Sequence, residues 1–163
     1  RRGPEQGVQA EASDVYKGQQ DYIALYFSRY PGVRDYMERT RQQAREHGYV
    51  ETVFGRRLYL EYINKGTQGQ RAGAERAAIN APMQGTAADI IKIAMVHVRN
   101  RLKAEKLDAK LILQVHDELI VEVGEKDAEK ALKLVCEEME NACKMKVKLR
   151  ADGNIGKTWY DAH

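Results

Sequence analysis

Leu111-Ile112-Leu113-Gln114-Val115-His116-Asp117-Glu118-Leu119-Ile120-Val121-Glu122-Val123 is the stretch on which the fold turns. Leu111, Leu113 and Val115 alternate with Ile112, Gln114 and His116, and Leu119, Val121 and Val123 resume the apolar set beyond the polar break. A period of two is what successive side chains on a strand produce, so the pattern predicts a β-hairpin turning at His116-Asp117-Glu118. Two carboxylates are thereby placed at the end of an apolar strand, where a sheet holds them and a turn leaves them open.

Outward from the hairpin the period changes. Upstream, residues 73–103 read as a long helix with Ile91, Met95, Val98 and Leu102 as its buried stripe and an interruption at Pro82, which lacks a backbone donor. Residues 64–73, with Asn, Gly, Thr and Gln and no period, read as a loop. Residues 49–60 read as two short strands around Phe54-Gly55-Arg56, with Arg56 and Arg57 at the tip. Residues 33–46 form a helix charged on most sides, with Gly48 as its left-handed C-cap, and Ile23, Tyr26, Phe27 and Tyr30 fall at helical spacing before Pro31-Gly32. Downstream, Asp127 caps an amphipathic helix over 128–143 with Ala131, Leu134, Val135 and Met139 inward, and a last strand lies near 147–151. Strands flanked by helices, rather than alternating with them, give an α+β architecture built on a small antiparallel sheet.

Composition narrows the class. The 163 residues are 43% hydrophobic and 31% charged, an ordinary globular balance, and no apolar run approaches the ~20 residues of a membrane span. No secretory leader stands at the front, so a cytoplasmic protein without a membrane partner is expected. Residues 1–20 lack an apolar period and read as a disordered or foreign leader to a domain covering 21–163. The net charge of +3 does not by itself imply a polyanion, yet eleven of the 14 arginines precede residue 80. Arginine's planar fork suits phosphate oxygens, while a solvated helix face explains those between Arg29 and Arg45 equally well. Cys136 and Cys143 lie seven residues apart in a helical stretch, about 10 Å at 1.5 Å per residue, too far for a disulfide.

Two constellations carry chemistry. At the turn, Asp117 and Glu118 offer the oxygen ligands a hard cation such as Mg²⁺ prefers, although neighbours on a strand cannot both point straight at one ion. Asp117 is the candidate ligand, and an acidic turn that is merely soluble is the alternative. On the long helix Arg76, Asn80 and Gln84 recur every four residues and so share one face. Asn and Gln each carry a donor and an acceptor, which suits the acceptors that all base pairs present in the DNA minor groove. A wet helix face is the competing explanation.

The residues Gln114-Val115-His116-Asp117-Glu118 and Ala74-Glu75-Arg76-Ala77-Ala78-Ile79-Asn80-Ala81-Pro82-Met83-Gln84-Gly85-Thr86-Ala87-Ala88-Asp89 resemble the C-terminal palm and adjoining helices of family-A DNA polymerases of the bacterial polymerase I type. Phe54-Gly55-Arg56-Arg57 and Ser28-Arg29-Tyr30-Pro31-Gly32-Val33 match in the same order, and the resemblance runs from about residue 21 to His163. It implies a DNA-directed nucleotidyltransferase of replication and repair, working as a monomer on primer-template DNA and deoxynucleoside triphosphates with two Mg²⁺ ions. It makes Asp117 one of two metal-binding aspartates, supported by Glu118, with His116 and Gln114 near the primer terminus. Arg76, Asn80 and Gln84 would contact the primer-template, and Arg56 and Arg57 its phosphates.

The departures matter equally. The family's other aspartate belongs to an Asp-Tyr-Ser-Gln-Ile-Glu-Leu segment that is not reproduced here; Asp21-Tyr22 shares only its first two residues and reads as a helix start. The helix that grips the incoming triphosphate is missing from the matching stretch as well. The chain by itself is therefore expected to polymerise nothing. A non-catalytic DNA-binding module using the Arg76, Asn80 and Gln84 face is the alternative, and a hydrolase built on His116, Asp117 and Glu118 lacks a second ligand cluster.

Overall fold

The elements follow from local signals in the chain, and a computed structural model describes residues 18–162. The leader expected over 1–20 lies outside the described residues except for 18–20, which belong to a helix, α1, seen over 18–29. Helix α2, Pro31–His47, begins on Pro31, where a fixed φ and a missing donor cost nothing, and ends on Gly48 at φ 76. Pro31 thus opens the second helix rather than only breaking the first. Strands β1 (Tyr49–Glu51) and β2 (Arg57–Tyr59) pair with each other, and α3 (Tyr62–Lys65) follows.

The loop expected over 64–73 is largely helix: α4 runs from Gln68 to Ala104, 37 residues. Its start is a reciprocal cap, in which Thr67 N–H donates to Gln70 Oε1 (2.9 Å) and Gln70 N–H donates to Thr67 Oγ1 (3.4 Å). Its end is fixed by Lys106 at φ 55, with Leu107 N–H donating to the Leu102 carbonyl at 3.1 Å. That six-to-one closure lays Leu107 on the core beside Leu102.

Strands β3 (Ala109–Val115) and β4 (Glu118–Val123) are antiparallel, and the expected hairpin is present. Its register differs in one respect. Leu111 pairs with Val121 but Leu113 with Ile120, so Ile112 is a bulge. Because a one-residue slip exchanges the faces of a strand, Leu113 shares a face with Ile120, opposite Leu119, Val121 and Val123. Leu113 is 44% exposed, not inward as simple alternation predicts.

A 3-10 turn, Glu125–Asp127, leads into α5, Ala128–Glu140. Asp127 makes no side-chain cap bond, and the helix stops short of Cys143 at Asn141. Ala131, Leu134 and Val135 are buried and Met139 is half-buried, matching the expected stripe. No strand forms at 147–151, whose only anchoring bond of this kind runs from Ala151 N–H to Glu140 Oε1 at 3.2 Å. Helix α6 covers Trp159–Ala162. Both cysteines are free, as their spacing required. The result is an α+β fold with two two-stranded sheets, and among the described residues no helix is long and apolar enough to cross a membrane.

The chain divides into two compact units, one of Arg1–Val50 with Leu58–Ile79 and one of Glu51–Arg57 with Asn80–His163. In the first, Ala44, Val50, Leu60, Ile63 and Ala78 are buried. Tyr36 donates its hydroxyl to the Ile79 carbonyl (3.0 Å), and Asn64 Nδ2 donates to the Arg45 carbonyl (2.7 Å), satisfying an acceptor that the end of α2 leaves open. In the second, Val98 and Leu102 of α4 meet Ala131 and Val135 of α5, with Leu119, Val121 and Val123 of β4 packed against them. Burying a side chain such as Leu102 fully is worth about 1.5–3 kcal/mol.

Leu102, 2% exposed, and Leu113, beyond the bulge, should therefore respond differently to truncation. Leu102→Ala is expected to lower stability by about 2–5 kcal/mol and Leu113→Ala by less than about 1 kcal/mol in urea denaturation. Equal losses would contradict the bulged register.

Candidate functional site

The hairpin closes through the two residues His116 and Asp117. His116 has φ 53 while Asp117 does not have a positive φ, the arrangement of a II′-like turn whose first central position usually carries Gly. Histidine is one of the few side chains enriched in that region of backbone space. Gln114 Nε2 donates to the His116 carbonyl at 2.6 Å and ties the turn to its own strand. Gln114 and His116 are thus brought together as a backbone support, and both remain exposed.

Asp117 is exposed at the bend and makes no ion pair or hydrogen bond with the described residues. Glu118, the first residue of β4, pairs across the ladder with Val115. Both carboxylates border an open cleft of about 1280 Å³ whose walls include Leu119, Val121, Leu132 and Ile155. Their oxygens suit a hard divalent cation, which often takes one or two protein carboxylates and completes its shell with phosphates and water. Among the described residues no three His, Cys, Asp or Glu gather into a metal-holding group.

On α4, Asn80 and Gln84 are exposed in the second unit and Arg76 is exposed in the first. The three side chains expected to form a polar ridge all face water. Between them Pro82 removes one helical donor, and Thr86 Oγ1 donates to the Pro82 carbonyl at 2.5 Å.

The two arginines expected at phosphates are engaged within the protein. Arg57 Nε lies 2.6 Å from Glu51 Oε1. Arg56 Nε donates to Asp89 Oδ1 (2.8 Å) and its Nη2 to the Gly85 carbonyl (3.0 Å). The Asp89 side chain is only 12% exposed. The Thr52 hydroxyl first, and then the Arg56 guanidinium and the Lys92 charge, hold its carboxyl below the usual aspartate range against the opposing effect of burial. Residue patterns had assigned no role to Asp89, Thr52 or Thr86. Their only sequence signal is that Asp89 and Thr86 interrupt a helix stretch of small and apolar residues.

Since the Asp89 carboxyl is depressed in the fold, its favourable contribution is complete above the ordinary value of 3.8 and disappears as pH falls through the lower, folded value. A carboxyl ¹³C titration of the folded chain should place the Asp89 midpoint below 3.8; a midpoint at or above it would contradict the ion pair with Arg56.

Comparison with known proteins sharpens what these features belong to. The sequence pattern of "DNA polymerase family A" matches residues 7–161, a stretch that begins upstream of Asp21. DNA polymerase I of Pseudomonas aeruginosa is 54% identical over 147 residues, covering 90% of this chain and 16% of the relative. DNA polymerase I of Bacillus caldotenax is 49% identical over 142 residues, covering 87% and 16%. The solved POL domain of Pol1 from M. smegmatis, in complex with DNA primer-template and dNTP, superposes with a TM-score of 0.86 at 43% identity, over 90% of this chain and 26% of that one. The chain thus spans about a sixth of the length of these curated relatives. With one family's pattern running through both compact units, from the helices of the first to the hairpin of the second, the chain belongs to DNA polymerase family A.

Proposed function

We propose that this chain is the C-terminal part of the polymerising domain of a DNA polymerase of the polymerase I type, acting on primer-template DNA and deoxynucleoside triphosphates. The observation that carries this reading is Asp117, presented without an internal partner among the described residues at a two-residue bend supported by Gln114. In the proposed reaction the primer 3′-hydroxyl gives up its proton to solvent, its oxygen forms a bond to the α-phosphorus of the triphosphate, the bond from that phosphorus to the bridging oxygen breaks, and pyrophosphate leaves. Asp117, aided by Glu118, would hold a divalent ion, Mg²⁺, with the partner aspartate supplied by another part of the polymerase. Such ions, when bound, stabilise charge on the attacking and leaving oxygens. Asn80 and Gln84 would meet the acceptors common to all base pairs in the minor groove, sensing pair shape without reading sequence. Arg76 would contact the primer-template, and His116 would lie near the primer end. Arg56 and Arg57 enter with less freedom for phosphates than their positions in the sequence suggest, given their contacts with Asp89 and Glu51.

The chain lacks the second carboxylate segment and the triphosphate-gripping helix, so alone it should extend no primer. A chimaera in which it replaces the aligned stretch of the Pseudomonas aeruginosa relative should extend a primer with Mg²⁺. Asp117→Asn in that chimaera should lower kcat by about 10²-fold or more, the scale of losing one preorganised charge stabiliser. A folded chimaera that binds duplex but extends nothing would favour a DNA-binding module without chemistry. Unchanged kcat in Asp117→Asn would remove Asp117 from the metal site.

A further inference from the structure

The segment Glu51–Arg57 belongs to the second unit, although the residues that follow it, Leu58–Ile79, belong to the first. What attaches it there is a set of contacts to one stretch of α4. Val53 N–H donates to Thr86 Oγ1 (3.1 Å), and Arg56 donates to both Asp89 Oδ1 (2.8 Å) and the Gly85 carbonyl (3.0 Å). A β-carbon at Gly85 would stand 2.6 Å from Thr52 Cγ2 and 3.2 Å from Arg56 Nη2, so only glycine admits the segment this close. The segment is itself tightly turned: Phe54 N–H and Arg56 N–H both donate to Thr52 Oγ1, at 3.3 and 3.2 Å.

The contacts fall where α4 is weakest. Pro82 cannot donate to the carbonyl one turn earlier, and Gly85 costs a helix interior about 1 kcal/mol relative to alanine. Gln84 lies between these two residues, exposed. Without an outside brace, that turn has the least reason to keep one conformation. We propose that Arg56 and Asp89 are positioning residues, a brace that fixes the α4 turn carrying Gln84 for its contact with duplex DNA, and that Arg56 is not itself a phosphate contact. This rests on the DNA-contacting reading of Gln84 above. The guanidinium is suited to the task because Nε and Nη2 reach a carboxylate and a carbonyl at once, fixing direction as well as distance.

Two measurements on the 163-residue chain test it. Amide hydrogen exchange needs no DNA: Arg56→Ala and Asp89→Asn should each speed exchange at Val53 and across 83–86. Unchanged protection in both would overturn the brace. Binding to a primer-template duplex, followed by fluorescence anisotropy across a salt series, tests its purpose. Arg56→Ala and Asp89→Asn should weaken binding equally, by about 3–10-fold as coupled sites do, with the double variant no worse than either and no further loss in a Gln84→Ala background. The slope of log affinity against log salt should stay the same. If instead Arg56→Ala lowers that slope by about 1 while Asp89→Asn binds normally, Arg56 is a phosphate contact and the proposal fails. If the unaltered chain binds no duplex, the DNA-contacting reading is what fails, and the exchange result still decides whether the brace exists.

Discussion

Packing of one end of α4 against α5 and the inner face of β4 is the interaction on which the second unit depends. Val98 and Leu102 are 1% and 2% exposed, and Ala131 and Val135 close on them from α5. Leu119, Val121 and Val123 of the hairpin lie against this cluster. The same helix, about four to six turns earlier at 3.6 residues per turn, carries Asn80 and Gln84 outward. Within the second unit the helix is thus core around Leu102 and exposed at Asn80 and Gln84. The helix runs unbroken through Pro82, but the donor missing there and the glycine beside Gln84 would loosen it, and the Thr52–Arg56 segment is bonded across that stretch.

The hairpin shows how a small irregularity separates support from function. Beyond the Ile112 bulge the strand's faces exchange, so the half of β3 that approaches the bend no longer follows the inward alternation of the half near the core. The bend itself places His116 at a positive φ, and the Gln114 amide closes onto it. Asp117 stands at that point, in water and beside an open cleft.

Most of this order is readable from residue spacing. The hairpin, the period of two in β4, the stripe of α5, the Gly48 cap and the Ile91 to Leu102 face of α4 are local patterns, and each appears where the spacing places it. What was not legible depends on partners far off in the chain. The bulge leaves no trace because Leu111, Ile112 and Leu113 are all apolar and fit either register. The Val147–Ala151 strand fails to form because extended residues without a neighbouring strand have nothing to bond to. The start of α4 was visible in Thr67 and Gln70, a capping pair hidden among glycines that suggest a loop. Asp89 closes one of the stretches that resemble the family, yet its role emerges only when Arg56, 33 residues earlier, is placed against it.

The polymerase assignment comes down to whether the Asp117 bend takes up a divalent ion beside a DNA end. Manganese, a paramagnetic stand-in for magnesium, broadens amide signals near where it binds, so a titration of ¹⁵N-labelled chain holding a primer-template duplex reads the position residue by residue. The expected result is that amides from Val115 to Glu118 broaden first, and that Asp117→Asn abolishes this without disturbing the rest of the spectrum. Broadening centred elsewhere, or the same broadening at the bend in Asp117→Asn, would contradict it.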